Sequence, residues 1–251
     1  MVQKENLISV IIPVYNRFEE LLLALQSLSQ QTYRHFEIIL VDDGSQGEIQ
    51  EVIDKAHGWG ISCDPQGNSI LLKLIKQKNQ GAAIARNVGF QASQGSYVIF
   101  WDADILGGAN MLEEMSNVLD SRQEIDFVYS NFYFGKKRMP AREFDGHALM
   151  KGNYIAIATL LRREIFVGFD ESLSRFQDWD LWLTLYENGK KGTWINKYLY
   201  RAMVSTNGIS SWLPRFAYYY PFCLLPGIHK KVREYKLQKE KIIKKHRLSK
   251  S

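Results

Sequence analysis

The sequence predicts an α/β domain built on a mostly parallel sheet flanked by helices. Two observations carry that prediction. Short, almost continuous apolar runs recur along the first half of the chain, as expected of strands buried on both faces. Between them lie segments with apolar residues at helical spacing, and alternation at this pitch is the mark of βαβ units with right-handed crossovers. The length of 251 residues is ample for one such core with an appendage.

The first run is Leu7–Val14 (LISVIIPV), followed by a helix over Arg17–Gln31 with Phe18, Leu21, Leu22, Leu25 and Leu28 on one face. Phe36–Val41 is a second strand and Glu48–His57 a second helix. Trp59–Gly67 carries the Gly and Pro of a loop. Ile70–Ile75 is a third strand, Gly81–Ser93 an alanine-rich helix, Tyr97–Trp101 a fourth strand and Ala109–Leu119 another helix. The second half is less regular. It predicts strands over Phe127–Phe134, Tyr154–Leu161 and Thr193–Tyr200, a short helix over Arg163–Val167 and a longer one over Trp179–Glu187.

Composition excludes several classes. Apolar residues make up 45% of the chain and charged ones 24%, which is ordinary for a globular protein and too apolar for general disorder. Two cysteines without motif spacing, Cys63 and Cys223, exclude a disulfide scaffold and a Cys-based zinc site and fit a reducing compartment. No apolar run reaches the roughly 18 residues of a spanning helix, and the opening residues show no signal-peptide pattern. The net charge of +5 is unevenly placed: His229–Ser251 carries +8, which leaves −3 for the rest. A mildly acidic globule argues against nucleic-acid binding. The basic tail is either a solvated helix or a dock for anionic membrane.

Open parallel sheets bind ligands outside the carboxyl ends of their strands, and polar residues cluster at those ends. Pro13 and Tyr15 follow the first run and offer a flat wall for a planar ring. Asp42 and Asp43 follow the second, as turn residues or as acceptors for a base N–H or ribose hydroxyls. Asp102 and Asp104 follow the fourth. Spaced two apart, they face one side if the chain stays extended, and carboxylates are the ligands Mg²⁺ and Mn²⁺ prefer. Arg86, the only charge on the alanine-rich helix, pairs with a sheet-end carboxylate or with phosphate. Asp178 opens the helix of QDWDLWL, as a first-turn acid favoured by the helix dipole or as a general base. None of the five histidines lies in these segments, which argues against a Ser-His-Asp or Cys-His hydrolase.

Taken together, SVIIPVYN, VDDGS, NQGAAIARNVG, WDAD and QDWDLWL occur in an order and at separations that resemble the family-2 inverting glycosyltransferases of the GT-A fold. The resemblance covers roughly residues 7–210. It implies a Rossmann-like GT-A domain over residues 1–212, with a nucleotide-binding half to about 106 and an acceptor-binding half from about 107. Residues 213–251 would form an aromatic and basic, partly helical extension. It implies a nucleotide-sugar donor, usually UDP-linked, with the base near Pro13 and Tyr15 and with Asp43 on the uracil or ribose side. Gly81, Arg86 and Asp102 would complete the donor site. Asp104 would hold a divalent cation, Mn²⁺ or Mg²⁺, under the diphosphate, and Asp178 would be the catalytic base.

The acceptor would be a glycan or lipid-linked hydroxyl, read by residues 130–142, 152–154 and 205–212. The setting would be cell-surface polysaccharide or glycolipid assembly in the cytoplasm, peripheral to the inner membrane face through residues 216–251. One departure stands out: many relatives place a metal-binding histidine two residues after the arginine of Tyr200-Arg201, and here Met203 stands there. A thioether is a poor ligand for Mg²⁺ or Mn²⁺. Two other readings use the same features. A GT-A-like module without turnover has no reason to keep Asp178 beside Asp102 and Asp104. A nucleotidyl transferase would bring a Gly-rich phosphate loop with a lysine near the first strand, which Val14–Phe18 lacks.

Overall fold

A computed structural model of the chain describes residues 6–47, 49–64, 69–204 and 228–248. The apolar runs become strands because each finds hydrogen-bonding neighbours; Ile8–Val14, Phe36–Asp42 and Tyr97–Phe100 are also covered on both faces, whereas Ile70–Lys76 leaves Leu71 exposed. β1 (Ile8–Val14) lies in parallel between β2 (Phe36–Asp42) and β5 (Tyr97–Phe100). Beyond β2 come β4 (Ile70–Lys76) and the two-residue β3 (Ile61–Ser62), both parallel. Beyond β5 the sheet continues through β9 (Leu160–Arg162), β7 (Phe127–Phe134), β10 (Gly192–Ala202) and β6 (Ile105–Gly107), while β8 (Lys137–Met139) forms a hairpin with β7. The chain winds outward from β1 to β4 and then returns to the other side of β1 at β5. That reversal is the topological switch point where such sheets bind ligands.

Helices cover both faces. α1 (Phe18–Ser29), α2 (Ile49–His57) and α4 (Met111–Ser121) pack on one side with the larger apolar cluster. α3 (Ala82–Ala92), α5 (Gly146–Lys151) and α6 (Gln177–Glu187) pack on the other. The alanines and glycine of α3 have a steric purpose. A Cβ at Gly89 would run into Ile11 of β1 and meet Val41 of β2 at 3.2 Å, so only a bare helix face fits this close to the sheet.

Several expectations change. Tyr154–Leu161 is a strand only at its end. Its earlier polar groups are taken by side chains: Ile155 N–H donates to Asn153 Oδ1 at 3.1 Å, and the Ile155 carbonyl accepts from the Trp182 indole at 2.9 Å. Arg163–Ile165 is a single 3₁₀ turn rather than a helix to Val167. The loop around Trp59–Gly67 contains β3, and residues 65–67 lie outside the described part. β6, β8 and α5 are three to six residues long and carry no periodic signal.

The basic tail is not simply solvated. α7 (Ile228–Lys245) lies against the domain with Val232, Ile242 and Leu248 buried, while Leu237 is 54% exposed. The aromatic segment 216–227 and the loop 205–212 lie outside the described residues. No helix among the described residues is long and apolar enough to cross a membrane.

The tight seat of α3 gives a first test. Gly89→Val is expected to destabilise the protein by about 2–3 kcal/mol through overpacking against Ile11. Chemical denaturation measures it, and an unchanged midpoint would show that α3 can lift off the sheet at no cost.

Candidate functional site

Two clusters form at the carboxyl end of the sheet. The first is built on Asp43, which is buried directly after β2, its N–H donating to the Val14 carbonyl at 2.8 Å. Its Oδ1 accepts from Gln77 Nε2 and Gln80 N–H, both at 2.8 Å, and its Oδ2 accepts from Gly81 N–H at 2.8 Å. Asp43 therefore clasps the turn that leads into α3. Gly81 needs its missing side chain, since its φ of 93° lies in the left-handed region. Asn16, also left-handed at φ 51°, ties the loop after β1 to the loop after β2: its N–H donates to Ser45 Oγ at 3.0 Å, and its Oδ1 accepts from Gln46 N–H at 2.7 Å. On this ledge Tyr15 is 45% exposed, free to carry a planar ring.

The second cluster lines an open cavity of about 370 Å³ that adjoins the first through Ala82. Arg86, Asp102, Asp104, Gln177 and Asp178 all face it. Pro13, Tyr15, Asp43 and Gly81 do not line it and belong to the first cluster. Arg86 is buried and bridges: Nη2 donates to Asp102 Oδ1 and Nη1 to Gln177 Oε1, both at 2.6 Å. Of the two partners the sequence left open for Arg86, the structure thus contains the sheet-end carboxylate.

Asp102 and Asp104 do not share an extended strand. Ile105 N–H donates to the Asp102 carbonyl at 2.9 Å and closes a turn, which the buried Trp101 indole braces by donating to the Ile105 carbonyl at 2.9 Å. The turn still aims both carboxylates into the cavity. Arg17 Nη1 reaches Asp104 Oδ2 at 3.1 Å. Burial, with the nearby Asp102 charge, pushes the Asp104 carboxyl up to about 6 against the pull of Arg17.

Asp178 stands in the first turn of α6. Its Oδ1 accepts from Trp179 N–H at 2.9 Å and its Oδ2 from Asn153 Nδ2 at 2.8 Å. Burial raises its pKa above the ordinary carboxylate value, against the pull of the Trp179 N–H and Arg86. Behind it lies Tyr200, buried and stacked on Phe132 with ring centroids 5.1 Å apart. Burial and then the charges of Asp102 and Asp178 raise the Tyr200 phenol, so it stays neutral. Phe132, Met139 and Tyr200 stand in register on adjacent strands and give this side of the cavity an apolar floor.

Sequence reasoning missed Arg17, Asn153 and Gln177 as site residues. Asn153 and Gln177 lay within segments already singled out, but their partners are remote in sequence. Met203 lies beside Asp104: its N–H donates to the Asp104 carbonyl at 2.8 Å. Among the described residues no three His, Cys, Asp or Glu side chains converge as a metal cage. Asp104, with Asp102 beside it, instead offers the one or two carboxylates with which Mg²⁺ is usually held alongside substrate phosphates. The donor set fits a cation brought in with a diphosphate.

A cavity at the switch point thus holds paired acids at one strand end and a first-turn acid on α6. The model for glycosyl transferase family 2 matches residues 9–182. The chain belongs to this family. A glycosyltransferase of Haemophilus influenzae, described as uncharacterized, is 26% identical over 223 residues, covering 80% of this chain and 72% of its own length. A cholesterol galactosyltransferase of Borreliella burgdorferi is 27% identical over 232 residues, covering 81% and 62%. The chain spans only 34% of the length of a Rickettsia conorii relative. In fold it matches S. aureus TarS 1-349 in complex with UDP-GlcNAc, at a TM-score of 0.68 and 20% identity, over 82% of this chain and 61% of that one. It also matches the mannosyltransferase PcManGT of Pyrobaculum calidifontis in complex with GDP-Man and Mn²⁺, at a TM-score of 0.62 and 17% identity, over 82% and 59%. The fold is GT-A, as the motifs implied.

The Asp43 clasp yields a prediction. Asp43→Ala removes the acceptor for three donors, where charge-assisted hydrogen bonds are worth about 1.5–3 kcal/mol each and do not add fully. A loss of about 2–4 kcal/mol in stability is expected, with weaker UDP binding both with and without Mn²⁺. Denaturation and calorimetry check the two effects; full stability with weakened binding would mean that Asp43 is not the anchor of the turn.

Proposed function

We propose that the protein transfers a sugar from a UDP-linked donor to an acceptor hydroxyl with inversion at the anomeric carbon. The observation that carries this reading is the position of Asp178, a carboxylate of raised proton affinity that shares one cavity with Asp102 and Asp104. The nucleotide lies on the Asp43 ledge beside Pro13, Tyr15 and Gly81, and its diphosphate reaches toward Arg86, Asp102 and Asp104. Asn153 and the Trp179 N–H hold the Asp178 carboxylate while each oxygen keeps a lone pair free. As the acceptor oxygen attacks the anomeric carbon, its proton passes to Asp178. The bond from that carbon to the diphosphate breaks on the opposite face, and UDP leaves with the electron pair. General-base help of this kind is worth roughly 10²–10⁴ in rate, or about 3–5.5 kcal/mol. A divalent cation bound by Asp104 would neutralise charge on the departing diphosphate. Its protein ligand set would be small, because Met203 brings a soft thioether at the position where the motif resemblance implies a histidine in many relatives.

The reading extends to setting. The acceptor is a glycan or lipid-linked hydroxyl of cell-surface polysaccharide or glycolipid assembly, and the protein works in the cytoplasm, peripheral to the anionic inner face of the membrane. Supporting this, α7 exposes Lys230, Arg233, Lys236 and Lys244, and the turn after it exposes Arg247. Its apolar side is used within the protein, so attraction between these cations and anionic headgroups is the force available to α7.

Two measurements test the proposal. Asp178→Asn is expected to bind UDP as the parent does while losing at least about a hundredfold in turnover on a UDP-sugar panel with Mn²⁺. In the parent, the rate should fall as pH drops through a pKa above the ordinary carboxylate value, because the base must be ionised. Near-parental turnover of the variant removes Asp178 from the mechanism. Separately, co-sedimentation with phosphatidylglycerol-containing vesicles is expected to exceed that with pure phosphatidylcholine and to weaken at high salt. Binding indifferent to lipid charge refutes the electrostatic dock.

A further inference from the structure

The wall that carries Asp178 is held from behind by the C-terminal helix. Lys245 Nζ reaches Asp170 Oδ2 at 2.9 Å, and Lys241 Nζ donates to the Ser172 carbonyl at 2.9 Å. The Ser174 hydroxyl donates to Glu234 at 3.0 Å, and the Phe176 ring meets Tyr235 edge-on at 5.1 Å. Asp180, 3% exposed, receives Lys245 Nζ at 2.9 Å and His246 Nε2 at 2.8 Å. Residues 170, 172, 174, 176 and 180 thus meet α7 or the residue that follows it, while the run Ser174 to Asp178 lines the cavity, so Ser174 and Phe176 touch both.

Two features show that this support is under demand. Phe176 sits at φ 62°, a left-handed conformation that is unfavourable for a residue bearing a side chain. Such a residue persists where its surroundings over-determine it. Gln177 and Asp178 follow it directly. His246 is 1% exposed, with Nε2 on Asp180 and Nδ1 on Glu187 at 2.9 Å. A neutral imidazole has one N–H and could satisfy one of these; the imidazolium satisfies both. Burial opposes the charged ring, but the bonds to Asp180 and Glu187 outweigh it and leave its pKa raised.

We propose that α7 is a positioning element for the glycosyltransferase site, and that Lys245 and His246 are positioning residues acting through Asp180 on Asp178. The inference rests on reading Asp178 as the base. It gives the basic tail a task that sequence separation conceals, since Lys245 lies 65 residues beyond its partner Asp180.

The test is the double variant Lys245→Ala/His246→Gln in the full chain, which keeps the buried Val232 and Ile242 that seat the helix. The expected result is a fall in kcat of about tenfold or more with UDP affinity within about twofold of the parent, as misplacement without loss of the donor site predicts. Amide exchange across residues 174–181 should accelerate, and Lys245→Arg alone should retain parental kcat. Unchanged exchange in 174–181 overturns the proposal, as does parental kcat despite faster exchange. UDP affinity falling in step with kcat also overturns it, since that marks general destabilisation. Asp178→Asn run in parallel separates the two ideas. If that variant turns over normally the base reading fails, while the exchange data still decide whether α7 holds the wall.

Discussion

Arg86 is a charged side chain almost wholly removed from water, and much of the site is arranged around satisfying it. A buried charge is tolerable only when paired and hydrogen-bonded. Arg86 therefore needs Asp102 at the end of β5 and Gln177 at the start of α6, each at 2.6 Å. Those two partners belong to different halves of the chain. One guanidinium on α3 thus fixes the distance between the strand end that carries Asp102 and Asp104 and the helix start that carries Asp178. The closeness of α3 to the sheet, made possible by Gly89, is what lets a side chain of that helix reach the strand end.

Around this bridge the molecule separates two tasks. The Asp43 clasp and the Asn16 tie shape a ledge from loops alone, with hydrogen bonds to backbone N–H groups that leave little freedom. The cavity beyond is more varied. Its charged side faces the switch point, and its other side has the apolar floor of Phe132, Met139 and Tyr200.

The site was partly legible before the fold was known. Arg86 was legible as the only charge on an alanine-rich helix. Asp43, Asp102, Asp104 and Asp178 each follow an apolar run or open a helix, and a parallel sheet must gather such positions along one edge. Pro13, Tyr15 and Gly81 were legible for the same reason, although they sit on the ledge and not in the cavity. The pairings were not legible. That Arg17 meets Asp104, Asn153 meets Asp178 and His246 meets Asp180 depends on contacts across 87, 25 and 66 positions. No local pattern marks them. Tyr154–Leu161 misled because its apolar residues are buried, while its backbone is satisfied by Asn153 and the Trp182 indole instead of by a neighbouring strand.

By itself the sequence determined the alternation of strands and helices, the doubly buried central strands, the family and the set of acids at the strand ends. These follow from hydrophobic periodicity and turn chemistry, which act over a few residues and are written locally. Only the tertiary structure decided how the acids are neutralised and held: which guanidinium faces which carboxylate, how burial raises Asp104 and Asp178, and that the basic tail folds back to support the wall bearing Asp178. Charge burial and long-range pairing depend on where the whole chain finally lies, and no stretch of residues carries that information alone.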